Sequence, residues 1–121
     1  MVHGAEGLDE ISLAEETLVA ETRNGTVRRF TVTPEEFGVG RAPLESLRGG
    51  TAEENASLIR RILEGEAGPR RDIVVINAAA ALVAAGITAN FRDAAELASS
   101  AISSGAAGAK LGSLAAFTST R

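Results

Sequence analysis

Two carboxylates stand side by side at Asp9-Glu10, in a stretch that also holds Gly4, Glu6 and Gly7. Glycines permit backbone angles that other residues resist, so this stretch reads as a loop. In a loop, two neighbouring side chains can turn toward one hard cation. Mg²⁺ suits such a place, since it takes one or two carboxylates and fills its octahedron with water and substrate phosphates. The competing reading is solvated charge, because Glu15-Glu16, Glu35-Glu36 and Glu53-Glu54 repeat the pairing elsewhere in the chain.

The remaining candidates carry less. His3 is the sole histidine, and no serine in a nucleophile-elbow setting accompanies it, so a Ser-His hydrolase fits poorly. A lone histidine beside a glycine reads as structural or solvated. Gly49-Gly50-Thr51 invites a phosphate, because a glycine turn before a helix presents backbone N–H groups to an anion. Glu53 and Glu54 already occupy that first turn and complement its dipole, so plain capping is expected. Asn77 lies within an apolar helix and needs a hydrogen-bond partner, as packing polarity rather than catalysis. With no cysteine, disulfides, thiolate metal sites and cysteine nucleophiles are excluded, and nothing suggests an oxidising compartment.

The elements that must position these groups follow from local signals. Met1 to Gly4 has the character of a strand end, with too little before it to complete a strand. Runs rich in β-branched residues, Thr17 to Thr22 and Thr26 to Thr33, meet at Asn24-Gly25. That pair predicts a hairpin through a type I′ turn, which needs positive φ at both central positions. In the second run Val27, Arg29 and Thr31 alternate against Arg28, Phe30 and Val32, leaving one mixed, exposed face. Thr33-Pro34-Glu35-Glu36-Phe37-Gly38 reads as one short helical turn, with Pro at its first position and Gly closing it.

Thr51 and Glu54 form a capping box for a helix whose apolar face is Ala52, Ala56, Ile59 and Leu63, widened by Leu58 and Ile62 and ending near Gly65. After Gly68-Pro69, a helix from Arg70 to Ala85 is apolar nearly all round and expects cover on every side. Asn90 caps a third helix from Phe91 to Ser104, ended by Gly105, and an Ala-rich fourth spans Ala106 to Phe117. The expected fold is α+β: a loop, a hairpin, then four helical segments, with no internal repeat and no low-complexity linker.

A chain of 121 residues has the size of one domain and buries roughly two thirds of the surface its unfolded form exposes. Four Phe and no Trp or Tyr favour close helix packing over aromatic anchors. The formal charge of −4 and the scattered doublets Arg28-Arg29, Arg60-Arg61 and Arg70-Arg71 make no nucleic-acid footprint, which needs a positive stripe. The longest nearly uncharged apolar stretch, Ile73 to Ile87, is shorter than the ~18 residues of a membrane span. No secretory signal opens the chain, and a cytoplasmic protein without nucleic-acid or membrane partners is expected.

The order of the motifs adds what none carries alone. His3-Gly4, then Gly7-Leu8-Asp9-Glu10-Ile11-Ser12, resembles the metal-binding loop of the anthranilate phosphoribosyltransferases. Thr33-Pro34-Glu35-Glu36-Phe37-Gly38, Arg48-Gly49-Gly50 with Glu54-Asn55-Ala56, Arg71-Asp72-Ile73-Val74 leading to Asn77-Ala78-Ala79, and Ser104-Gly105-Ala106 follow that family in order and spacing over nearly the whole chain. The resemblance implies an enzyme of tryptophan biosynthesis that moves phosphoribosyl from phosphoribosyl pyrophosphate to the amine of anthranilate. It implies a fold that pairs a small helical domain with a larger α/β domain, and Mg²⁺ at the departing pyrophosphate. By motif match Asp9 and Glu10 are then the acidic pair that contributes to metal binding.

Residues 1–121 would be the C-terminal part of the α/β domain, an α+β fragment of it. The family's Gly-Thr-Gly-Gly-Asp loop, the anthranilate-contacting segments and the helical dimerisation domain would lie upstream of Met1. Glu6-Gly7 stands where that family often has an Asp two residues before Leu-Asp-Glu. Catalysis would then need a separate N-terminal half. The alternative is a non-catalytic helical interaction module derived from such an enzyme, and kinship with pyrimidine nucleoside phosphorylases fits Leu8-Asp9-Glu10 and the 34–38 segment less well. If a missing half normally covers the helix from Ile73 to Ile87, the chain alone exposes an apolar patch and associates.

Overall fold

The computed structural model describes residues 1–119, so the last two residues of the expected 1–121 unit lie outside it. Three strands open the chain: β1 (Val2–Gly4), β2 (Thr17–Arg23) and β3 (Thr26–Val32), in one antiparallel sheet of order β1-β2-β3. Two short 3-10 turns, Pro34–Phe37 and Leu44–Leu47, lead into helices α1 (Ala52–Leu63), α2 (Pro69–Ala84), α3 (Phe91–Ser103) and α4 (Ala106–Ser119).

The hairpin between β2 and β3 turns through Asn24 and Gly25, with φ of 51° and 77°, so that Arg23 pairs with Thr26 across a two-residue loop. Both angles are left-handed, as the type I′ turn demands. The sheet alternates as a one-sided sheet must. Gly4, Thr17, Val19 and Val32 are buried, whereas His3, Leu18 and Thr31 face outward.

One expectation is corrected here. Met1 to Gly4 does complete a strand, because Val2, His3 and Gly4 pair with Val19, Leu18 and Thr17. Three residues suffice when the partner strand already exists, and the Met1 ammonium adds a 3.0 Å hydrogen bond to the Ala20 carbonyl.

The core lies between the sheet and the α2–α3 pair. It gathers Ile11 and Leu13 from the first loop, Val19 and Val32 from the sheet, Phe37 from the 3-10 turn, Val75, Ile76 and Ala79 from α2, and Ala94, Ala95, Ala98 and Ile102 from α3. The alanines let α2 and α3 approach closely, as the composition suggests. Aromatic anchoring is nonetheless present where the composition argued against it. Phe37 and Phe91 meet in a tilted contact with ring centroids 4.8 Å apart, and Phe30 lies 6.5 Å from Phe91, which joins sheet, turn and α3.

Helices start and stop where the caps say. Thr51 accepts from the Glu54 N–H at 3.3 Å while the Glu54 carboxylate accepts from the Thr51 N–H at 2.7 Å, and Asn90 accepts from the Asp93 N–H at 2.9 Å. Neither α1 nor α4 has a fully buried residue. The expected cover of α2 is also incomplete: Val74 is 40 % exposed and Ile87, just beyond the helix, 61 %. Val74, Ala78 and Leu82 of α2 with Leu97 and Ala101 of α3 line an open apolar trough of ≈ 670 Å³. Among the described residues no helix is long and apolar enough to cross a membrane.

Candidate functional site

The acidic pair projects from the loop that joins β1 to β2, and that loop is fastened on both sides. On its N-terminal side the Gly4 N–H donates to the Leu8 carbonyl at 2.8 Å, the Gly7 N–H to the Gly4 carbonyl at 2.9 Å, and the Ala5 N–H to the Glu16 carbonyl at 3.0 Å. Gly4 must be small here. A Cβ would come within 3.1 Å of Leu8 Cβ and 3.2 Å of Ser12 Cβ, where the loop folds over it.

On its C-terminal side, helix α2 takes hold. Asn77 Oδ1 accepts from the Ile11 N–H at 2.9 Å, and Asn77 Nδ2 donates to the Ile11 carbonyl at 3.0 Å and to the Ile73 carbonyl at 3.0 Å. The next residue is held as firmly. The Ser12 N–H donates to Thr17 Oγ1 at 2.9 Å, and Ser12 Oγ accepts from the Ala14 N–H at 2.9 Å while donating to the Glu6 carboxylate. Leu13 closes the set by accepting from the Ala42 N–H at 3.0 Å. Arg41 reaches in from beyond the 3-10 turn, donating to the Ala14 carbonyl at 3.2 Å and to Glu35 at 2.9 Å. These bonds let Ile11, Ser12 and Leu13 sit at 1 %, 0 % and 0 % exposure, because buried backbone groups must be paired.

Asp9 and Glu10 occupy the span left between those held points, and both are exposed. Among the described residues neither carboxylate has a hydrogen bond or an ion pair. Two free hard-oxygen donors on a fixed backbone fit Mg²⁺, whose remaining positions water and phosphate oxygens fill. Among the described residues no three of His, Cys, Asp and Glu gather around one point, so the pair is a partial ligand set.

The other candidates separate cleanly. His3 faces solvent on β1, paired in register with Leu18. At Gly49-Gly50-Thr51 the anion-facing donors are already taken: the Gly50 N–H donates to Asn55 Oδ1 at 2.8 Å and the Thr51 N–H to Glu54. Capping, not phosphate, uses that turn. Asn77 finds its partner, and the partner is the acidic loop itself. Ser12 and Arg41, which hold the same loop, carry no local sequence signal beyond a serine near a turn and an arginine near an acidic pair.

Two carboxyl groups titrate away from their ordinary range. Glu35 is held below it, first by a backbone hydrogen bond and next by the Arg41 guanidinium. Asp72, at the start of α2, is pushed up by burial, and the neighbouring Arg71 charge offsets this only in part.

A sheet-capped helical layer with a fastened acidic loop defines the class. The chain belongs to the glycosyl transferase family, a/b domain, whose model matches residues 1–108. Within that family it is similar to anthranilate phosphoribosyltransferases. The Thermomicrobium roseum enzyme is 57 % identical over 110 residues, which are 88 % of this chain and 32 % of that protein. The Symbiobacterium thermophilum enzyme is 49 % identical over 118 residues, 98 % of this chain and 35 % of the other. Among solved structures, anthranilate phosphoribosyltransferase from Thermus thermophilus superposes with a TM-score of 0.77 at 47 % identity, over 86 % of this chain and 30 % of that one. The Saccharomyces cerevisiae enzyme in complex with PRPP and Mg gives 0.78 at 25 % identity, over 86 % and 30 %. The chain thus spans about a third of the length of the relatives it matches, in their C-terminal part.

Proposed function

We propose that residues 1–121 form the C-terminal part of the α/β domain of an anthranilate phosphoribosyltransferase. The reaction moves the phosphoribosyl group of phosphoribosyl pyrophosphate to the amine of anthranilate and releases pyrophosphate, a step of tryptophan biosynthesis in the cytoplasm. The observation that supports this most is the pairing of two unpartnered carboxylates, Asp9 and Glu10, with a loop fastened from both sides. Identity of 57 % to one such enzyme supports the assignment of the surrounding motifs. The yeast relative's complex with PRPP and Mg supports the ligand class.

Asp9 and Glu10 would hold Mg²⁺, directly or through water. Bound there, the metal supplies charge neutralisation for the departing pyrophosphate. The chain's own contribution is placement. The bonds at Leu8, Ile11 and Ser12 fix the backbone on either side of the acidic pair, so its carboxylates need little reordering to meet a phosphate-bound cation. The rest of the substrate pocket would come from an N-terminal portion packed on the open trough of α2 and α3.

The test mixes this chain with the complementary N-terminal two thirds of the Thermomicrobium roseum enzyme and follows anthranilate-dependent pyrophosphate release. Restored turnover that the double substitution Asp9→Ala, Glu10→Ala abolishes is expected. Turnover indifferent to that substitution would overturn the metal role. A second reading, a helical interaction module without catalysis, rests on the exposed trough; it predicts a stable mixed complex that never turns over and does not bind phosphoribosyl pyrophosphate.

A further inference from the structure

From these contacts we infer that Asn77 is the positioning residue of the acidic pair: its amide clamps both backbone groups of Ile11 and so sets where Asp9 and Glu10 point. The inference rests on the metal reading of that pair proposed above. Its geometry is independent of that reading. One side chain on α2 meets the N–H and the carbonyl of a single residue 66 positions earlier, at 2.9 and 3.0 Å, the pattern by which one strand holds another.

The third bond, from Nδ2 to the Ile73 carbonyl at 3.0 Å, ties the amide to its own helix and fixes its orientation, with oxygen toward the Ile11 N–H. All the amide's hydrogen-bonding groups are engaged, and two of its three bonds serve the loop. Ile11 follows Glu10 directly, so releasing it frees the ψ of Glu10 and lets both carboxylates swing. A group that orients a metal ligand typically contributes 10- to 100-fold in metal affinity when lost.

The experiment uses the 121-residue chain, labelled with ¹⁵N and mixed with the unlabelled N-terminal two thirds of the Thermomicrobium roseum enzyme and pyrophosphate, with Mn²⁺ as the probe. In the unsubstituted protein the Ile11 amide should exchange with solvent as slowly as the Val19 amide of β2. Mn²⁺ should broaden the amides of residues 9 and 10 first. Asn77→Leu should speed Ile11 exchange at least tenfold relative to Val19 and raise the Mn²⁺ midpoint by 10- to 100-fold. Val75→Ala, which weakens the same helix without touching the clamp, should leave that midpoint in place.

If Asp9→Ala, Glu10→Ala abolishes the broadening while Asn77→Leu leaves the midpoint unchanged, the positioning role falls and the metal reading stands. If Mn²⁺ does not broaden these amides in the unsubstituted protein, the metal reading falls and takes the positioning role with it, whatever Ile11 does. Should Asn77→Leu fail to fold, Asn77→Asp keeps the acceptor for the Ile11 N–H and loses the donors. An intermediate midpoint then supports the clamp, and an unshifted one overturns it.

Discussion

The first loop and the last helix are made of similar apolar residues and end in opposite places. Ile11 and Leu13, in a loop, are 1 % and 0 % exposed, whereas Leu114 and Phe117, in α4, are 58 % and 72 % exposed. Hydrophobicity alone does not separate them. The loop's backbone cannot satisfy itself, and the partners it finds on Asn77, Thr17, Ala42 and Arg41 draw it into the core. A helix satisfies its own interior amides and has no such need, so α4 and the outer face of α1 meet only across a shallow cleft of ≈ 490 Å³. Between these two segments burial follows the backbone's need for partners, and α4 presents apolar side chains outward.

The sharpest way to break that contrast is to make equal truncations in both regions. Ile11→Ala, at a fully buried position, should cost about 3 kcal/mol in denaturant unfolding, while Leu114→Ala should stay within about 0.5 kcal/mol. Equal costs would mean that α4 shares the core after all. Next, the open apolar trough of α2 and α3 should drive association. Val74→Lys with Leu97→Glu, at positions 40 % and 45 % exposed, should shift sedimentation from assembly to monomer without loss of helix signal. A protein already monomeric before substitution would remove that expectation.

Thr51→Ala should loosen α1 by about 1 kcal/mol, seen as faster amide exchange in its first turn with no change in the loop. The smallest effects are in acid titration and have opposite signs. Glu35 titrates below its ordinary range in the fold, so it stabilises above that range and the gain is lost as pH falls through its lowered pKa. Glu35→Gln should thus weaken the protein slightly at neutral pH and flatten its acid limb. Asp72 titrates above its ordinary range, so folding is favoured while it is protonated and loses that advantage as pH rises through its raised pKa. Asp72→Asn should stabilise slightly at neutral pH, read as a small rise in thermal midpoint.

What could be read in the sequence was whatever is settled within a few residues. Asn24-Gly25 specified the hairpin because both left-handed angles are local, and Thr51 with Glu54 specified the start of α1 because the reciprocal bonds span three residues. The strand at Val2–Gly4 escaped because its pairing with Thr17–Val19 is a non-local event with almost no length of its own. The cluster of Phe30, Phe37 and Phe91 escaped for the same reason, since low aromatic content says nothing about where the few rings meet. At the site, the order of motifs singled out Asp9 and Glu10 from three other acidic pairs. Asn77 could be seen to need a partner, but nothing near it in the chain named Ile11.

That contact has a kinetic side. Joining residues 66 positions apart carries a loop-closure cost of roughly 4 kcal/mol, repaid only once α2 exists as a platform. The hairpin and the helices can form early from near neighbours, and the span that carries the two acids must wait for them. The acidic loop is then the part expected to assemble last, so in pulse-labelled refolding the Ile11 amide should gain protection after the Val19 amide of β2.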